Sequence, residues 1–311
     1  MNLPTSRQDS SAICDPSTAS GLICALGGED RSGGRSKEDK PDQYLAALAA
    51  YHRAMAETMR QIVDALPLSP GDRALDLGSG DGAWSRLLAE RVGRQGRLAA
   101  VDIAPECLEL TRQAVAGQTN VGLVRADAAR LPLADGSFDL AWCAQSLYSL
   151  PRTLESLKEL VRVVANGNRM ETRPRAVAVL ENDSLHDLLL PWPVELELAV
   201  RQAEWRSHVE QETPCRYYLG RWLSGVFQEL GLRNTTVRVW ATTWQAPLSA
   251  DQRFFLEDHL AGLRRRVARR LNRERRDELV RLTTPGEQQY LLDRPDLAVT
   301  LLDRLAVGRL E

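Results

Sequence analysis

Residues 74–84 read Ala74-Leu75-Asp76-Leu77-Gly78-Ser79-Gly80-Asp81-Gly82-Ala83-Trp84, an acid set within an apolar run and followed by three glycines on alternate positions. The stretch from Arg73 to Leu77 has the character of a buried strand, and apolar residues resume at helical spacing from Trp84 to Glu90. A strand, a tight loop and a helix start follow one another. Glycine lets backbone approach a ligand closely, and a helix N-terminus presents unpaired N–H groups, so the loop is a candidate binding site. The pattern Gly78-Ser79-Gly80-Asp81-Gly82-Ala83 satisfies the dinucleotide fingerprint. Acids beside the glycines are poor company for a pyrophosphate, however, and favour a ligand that carries an amine and a sulfonium.

Outward from this loop, apolar runs and helical patterns alternate. Strands are predicted at Arg97–Asp102, Val121–Ala126, Asp139–Ala144 and Ala176–Leu180, with helices at Pro105–Val115 and Thr153–Val164 between them. Helical patterns follow at Val194–His208 and Leu219–Leu230, then a β-rich stretch at Thr235–Trp240, an Arg-rich helical region between Asp251 and Tyr290, and a last strand at Ala298–Val307. The alternation predicts an α/β fold with a doubly wound, mostly parallel sheet, and a helical insertion at about 246–292 before the final strand. Pro41 onward is Ala-rich and helical in pattern. Residues 1–40 are rich in Ser, Gly and Asp and are expected to be a disordered tail, leaving 41–311 as one domain.

Composition restricts the function classes. The chain has 311 residues, a formal net charge of -2 and 43% hydrophobic residues, so no global basic excess points to nucleic acid. No run of about 18 apolar residues suggests a membrane span, and the N-terminus lacks a signal-peptide pattern. The expected location is cytoplasmic. Cys14, Cys24, Cys107, Cys143 and Cys215 are scattered without metal-site or redox spacing, so no metal is expected. The one strongly basic feature is Arg264–Arg276, read as a solvated helix face or as a contact for an anionic partner.

Further candidate residues fall at predicted strand ends, where ligands of such sheets sit. Asp102 ends the second strand, where an acid accepts both hydroxyls of a ribose. Asp127 and Ala128 follow the third and are placed to meet the edge of an adenine ring, and Gln145 lies just past the fourth. Tyr51 and His52, on the helix before the first strand, either reach over the ligand or simply pack. Pro191-Trp192-Pro193, Trp205, Tyr217, Tyr218 and Trp222 are read as the wall of an acceptor pocket or as core.

From Ala74 to about Val164 the chain resembles the class I S-adenosylmethionine-dependent methyltransferases, in particular the type 11 or ubiquinone-biosynthesis-like small-molecule group. Leu75–Gly82, Val101–Glu106, Asp127-Ala128 with Leu131-Pro132-Leu133, and Ser137–Leu140 match four motifs of that family in order. The resemblance implies a seven-stranded Rossmann-like methyltransferase sheet and S-adenosyl-L-methionine as cofactor. It places Gly78 and Gly80 along the methionine part, Asp76 at the amino group directly or through water, Asp102 at the ribose, Asp127 and Ala128 at the adenine, and Gln145 near the sulfonium, with Ser79 and Ile103 also among the cofactor-binding residues. One departure is that Thr153–Val164 leads into Ala165-Asn166-Gly167-Asn168-Arg169 instead of a Lys-Pro-Gly-Gly turn, so a longer turn is expected.

The implied function is transfer of a methyl group to an O, N or C atom of a small organic acceptor. Such transfer needs alignment and a dry pocket, and His186, past the fifth strand, is the candidate base. The alternatives are an RNA or protein methyltransferase and a catalytically silent cofactor-binding or scaffold protein. A NAD-dependent oxidoreductase is least favoured. RNA methylation is disfavoured because Ala144-Gln145-Ser146-Leu147 stands where amino-group nucleic-acid methyltransferases carry an Asn/Asp-Pro-Pro-Tyr/Phe signature.

Overall fold

A computed structural model of the chain describes residues 41–165, 175–182, 187–210 and 214–310. The expected tail at 1–40, the turn at 166–174 and His186 lie outside the described residues.

Among the described residues two helices come first, α1 at Pro41–Ala54 and α2 at Ala56–Asp64. The sheet then begins with β1 (Arg73–Leu77), α3 (Ala83–Val92), β2 (Arg97–Asp102), α4 (Pro105–Ala114), β3 (Val121–Arg125), β4 (Leu140–Ala144), α5 (Thr153–Val164) and β5 (Ala176–Leu180). These strands are parallel in the order β3-β2-β1-β4-β5, so the chain reverses its winding direction between β1 and β4. Ligands of open α/β sheets sit at this switch point, beyond the carboxyl ends of the strands. Parallel strands covered on both sides read as continuous apolar runs. Accordingly, every residue of β4 and of β5 is buried.

The second half adds β6 (Leu188–Leu189), α6 (Val194–Glu210), α7 (Leu223–Glu229), β7 (Arg233–Gln245), α8 (Ala250–Val267), α9 (Arg273–Thr283) and β8 (Ala298–Arg309). The predicted sheet of seven strands has eight, because β8 spans 12 residues and outruns its neighbour. β5 pairs antiparallel with β8 only over Leu305–Arg309, and the two-residue β6 takes up the remaining edge at Thr300 and Leu301. On its other side β8 is covered along its length by the 13-residue β7, far longer than the Thr235–Trp240 predicted. Predicted helix Leu219–Leu230 is instead a 3₁₀ turn, Pro214–Arg221, followed by the short α7.

The two sheet faces carry separate cores. Ala74, Leu140, Trp142, Ala176, Ala178, Leu180, Val299, Leu301, Leu305 and Val307 point to the face covered by α1, α2, α3, α6, α8 and α9. Leu75, Leu77, Ala141, Cys143, Val177, Val179 and Ala306 point to the face covered by α5 and α7. This is the two-residue period of a strand. Two acids interrupt the apolar alternation on the first face: Asp76 in β1 and Asp303 in β8, each 1% exposed.

The helices between β7 and β8 have strong start signals. Ser249 and Gln252 form a reciprocal capping box at α8, and the Asn272 side chain accepts from the Arg275 N–H at 2.9 Å at α9. α8 lies across α1, and α6 packs on α8. The helical segment thus packs onto the first sheet face and α1 instead of standing apart from the sheet.

Candidate active site

The glycine loop crosses the carboxyl end of β1. Its shape follows from three left-handed residues, Gly78 (φ +77), Gly80 (φ +55) and Gly82 (φ +79), which ordinary side chains disfavour. At Gly78 a side chain would also have no room: a Cβ there would lie 2.6 Å from Ser146 Oγ and 2.9 Å from Ser146 Cβ. The loop therefore runs directly against the segment that leaves β4. It is anchored by the N–H groups of Gly78 and Ser79, which donate to the Val101 carbonyl at 2.8 and 3.0 Å, and by Ser79 Oγ, 2.9 Å from Thr111 Oγ1.

Three carboxylates surround this loop. Asp102 accepts from the N–H of Gly80 at 3.1 Å and from that of Ala104 at 2.9 Å, which holds it at the tip of β2 beside the glycines. Asp81 meets His52 of α1, whose Nδ1 is 2.9 Å from both of its carboxylate oxygens. Burial alone would raise Asp81, but the His52 contact and the Ala83 N–H outweigh it and hold the carboxyl below the usual range. Asp76 is sealed beneath the loop, accepts from Ser85 Oγ at 2.5 Å and is pushed up to about 7, chiefly by burial.

Beyond β2 and β3 the surface opens. Ile103 is 61% exposed, an apolar platform next to Asp102. Asp127 accepts from the Ala129 N–H at 2.9 Å and pairs with Arg152. Gly78, Ser79, Gly80 and Asp102 thus lie within one cluster of hydrogen bonds, with Asp76 in the strand that leads into it and Ile103 beside it, while Asp127 and Ala128 stand at the end of the neighbouring strand.

Gln145, just past β4, has a left-handed backbone with φ +47, a rare state for a residue with a side chain. Its backbone N–H donates to the Leu180 carbonyl at 2.7 Å, and its Nε2 donates to Tyr51 Oη and to Asp303 Oδ1, both at 3.1 Å. Sequence reasoning singled out Gln145 and weighed Tyr51 but missed Asp303. The signal was an acid breaking an apolar alternation, Val299, Leu301, Asp303, Leu305, Val307, the same signal that marks Asp76. Glu181, past β5, was also missed; it is 2% exposed, accepts from the Leu147 N–H at 2.6 Å and is pushed by burial up to about 8.

Next to this lies an aromatic wall. Tyr148 follows Gln145 in the turn Leu147–Ser149, with its ring centroid 6.2 Å from that of Tyr217. His208 of α6 stacks on Tyr217 at 3.7 Å with a 17° interplanar angle. His208 is 4% exposed, among the described residues neither of its ring nitrogens has a hydrogen-bond partner, and burial, with Arg266 and Arg270 nearby, lowers it to about 4. Trp192 is core, 8% exposed, whereas Trp205 is 44% exposed, so the predicted aromatic cluster divides between core, wall and surface. Among the described residues no group of His, Cys, Asp or Glu is arranged to hold a metal ion.

Residues 74–167 match the family described as "Methyltransferase domain". The chain therefore carries a class I S-adenosylmethionine-dependent methyltransferase domain. The methyltransferase is 29% identical over 185 residues to the demethylmenaquinone methyltransferase of Staphylococcus aureus, covering 58% of this chain and 75% of that one. Its fold matches that of a Bacillus halodurans protein described as a methyltransferase, with TM-score 0.51, 16% identity and coverage of 81% of this chain and 97% of the other. It also matches the YcgJ protein of Bacillus subtilis, with TM-score 0.50, 17% identity and coverage of 82% and 98%.

The methyltransferase's own residues fit its cofactor. The backbone cradle at Gly78 tolerates no Cβ, and the carboxylates of Asp76, Asp81 and Asp102 suit a ligand with cationic groups and a ribose better than a pyrophosphate.

Proposed function

We propose that the enzyme methylates a small, planar organic acceptor held against the Tyr148, Tyr217 and His208 wall beside the glycine loop. The observation that carries this reading is the stacked His208–Tyr217 pair, with Tyr148 beside it at the switch point of the sheet. Flat aromatic walls favour flat ligands through stacking and buried apolar area. The similarity to a demethylmenaquinone methyltransferase supports an acceptor of that general kind.

In this proposal Asp102 takes the ribose hydroxyls, Ile103 and the Asp127-Ala128 edge take the adenine, and the Gly78–Gly80 backbone lines the methionine part. Asp76, sealed under the loop, attracts the amino group through its charge and through water. When bound, S-adenosylmethionine supplies an electrophilic methyl group on a sulfonium. The chain's part is to align the acceptor, exclude water and accept a proton where the acceptor carries one. Two imidazoles are assigned to that last task, His186, which follows β5 in sequence, and the neutral His208 of the wall, unpartnered among the described residues. Residues 41–311 act as one domain, with α8 and α9 as a cover over the site. The proposed location is the cytoplasm, where a buried thiol such as that of Cys143 stays reduced.

A screen of radiolabelled methyl transfer to phenolic, quinol and aliphatic amine acceptors tests the reading. Turnover on planar ring acceptors that falls at least about tenfold in His208→Ala, with cofactor binding intact, is expected. Transfer confined to aliphatic acceptors, or to RNA, contradicts it.

A further inference from the structure

Gln145, Tyr51 and Asp303 form a closed triangle. Gln145 Nε2 donates to Tyr51 Oη and to Asp303 Oδ1 at 3.1 Å each, and Tyr51 Oη donates to the same carboxylate oxygen at 3.2 Å. A carboxylate only accepts, so Asp303 decides which end of the Gln145 amide turns toward it. Both amide hydrogens are committed to this side. The carbonyl oxygen therefore points to the opposite side, away from α1 and β8.

The position of that oxygen is set by the backbone. Gln145 precedes Ser146, whose side chain limits the space at Gly78, so the backbone that carries the amide runs beside the glycine loop. The left-handed φ of +47 at Gln145 is disfavoured for a residue with a side chain, and the triangle holds the residue in that state. Asp303 and Tyr51 are 1% and 7% exposed, so the pair that holds the amide is shielded from competing water. Burial raises the Asp303 carboxyl, while hydrogen bonds from Tyr51, Asn182 and Gln145 and the charge of His52 oppose the rise.

We propose that Asp303 and Tyr51 are positioning residues that lock the Gln145 amide with its carbonyl oxygen toward the cationic methylsulfonium, so that the site prefers the methyl donor over its demethylated product. The inference rests on the cofactor placement proposed above. A carbonyl dipole attracts a sulfonium cation and the polarised hydrogens of its methyl group, and the neutral thioether of S-adenosylhomocysteine offers neither. The same arrangement favours product release. A free amide that turned its NH₂ inward would reverse the preference.

The test is calorimetric binding of S-adenosylmethionine and S-adenosylhomocysteine to the full chain, reported as the ratio of the two Kd values. Gln145→Met, at a partly exposed position, removes the carbonyl and is expected to shift the ratio about tenfold toward the product, with product affinity unchanged. Asp303→Asn is expected to give the same shift, and to add nothing in the Gln145→Met background, as coupling through one shared group requires. An unchanged ratio in Gln145→Met overturns the proposal even if Asp303→Asn fails to fold. A further shift from Asp303→Asn in the double variant overturns the positioning role, because the charge of Asp303 would then act directly. Equal weakening of both ligands also overturns it, since that is the signature of a merely structural triangle. If the wild-type chain binds neither ligand, the cofactor placement itself has failed.

Discussion

His52 faces Asp81 with Nδ1 2.9 Å from both carboxylate oxygens, at 7% and 11% side-chain exposure. The contact ties helix α1 to the glycine loop, and Ala83 N–H secures the same carboxylate at 3.1 Å. His52→Ala leaves a buried acceptor without its partner and is expected to lower stability by about 1–3 kcal/mol. Cofactor binding is expected to weaken with it. The depressed Asp81 carboxyl contributes stability above the usual carboxylate range, and that contribution is lost on acidification through its folded pKa. Thermal unfolding at pH 7 and in mild acid, with calorimetry on the folded variant, checks both effects.

Gly78→Ala is expected to abolish cofactor binding while leaving the chain folded. The new Cβ would meet Ser146 Oγ at 2.6 Å in a backbone at φ +77. The left-handed backbone alone costs about 1–2 kcal/mol. Gly71→Ala is the control: its φ is +92, but nothing lies within 4 Å of the added methyl. It is expected to lose stability and keep its affinity, so calorimetry and unfolding separate the two variants.

The buried carboxyls give stability a distinctive pH dependence. Burial pushes Asp76 up to about 7 and Glu181 up to about 8. The folded chain then holds protons that the unfolded chain has already released, so stability falls as pH rises from about 5 to 8, by up to about 1.4 kcal/mol per pH unit for each group. Glu181→Gln is expected to flatten the upper part of this decline. Binding of a cationic ligand beside Asp76 favours the ionised carboxyl, so affinity rises between pH 6 and 8 and protons are released, which calorimetry in buffers of different ionisation enthalpy detects.

The arginines of Arg264–Arg276 are mostly engaged. Arg264 donates to the Thr283 carbonyl, Arg266 to Glu204 at 3.2 Å, Arg270 pairs with Glu210, Arg275 with Glu278 at 2.7 Å, and Arg276 donates to the Ala268 carbonyl at 2.9 Å. Glu204 is 4% exposed and also meets Arg201 at 3.5 Å, so the pairs fasten α6 to α8. Arg266→Ala is expected to destabilise by about 1–3 kcal/mol. Reversal of the exposed Arg269 is expected to leave both stability and the salt dependence of turnover unchanged. A steep salt dependence that Arg269→Glu removes would restore the anionic-partner reading.

Much of the fold was legible because parallel strands and their crossovers leave strong local patterns. Leu75-Asp76-Leu77 followed by spaced glycines can hardly be anything but a strand entering a binding turn, and β4 and β5 are unbroken apolar runs. The sheet edge was less readable. β6 has two residues, too few to show a period, and its existence depends on the length of β8. In the site, Asp102 and Gln145 were found because they sit at fixed offsets from strands. Asp303 is far from them in sequence, and an antiparallel strand brings it to Gln145. His208 stood in an ordinary helical pattern, and only the packing of Tyr217 against it singles it out.

The most direct measurement is calorimetric binding of S-adenosylmethionine, S-adenosylhomocysteine and NAD to the purified chain, with Asp102→Ala as the paired variant. Micromolar binding of the first two, no binding of NAD, and loss in the variant with its fold retained are the predicted results. Binding of NAD alone, or binding of S-adenosylmethionine that survives Asp102→Ala undiminished, would contradict the site described here.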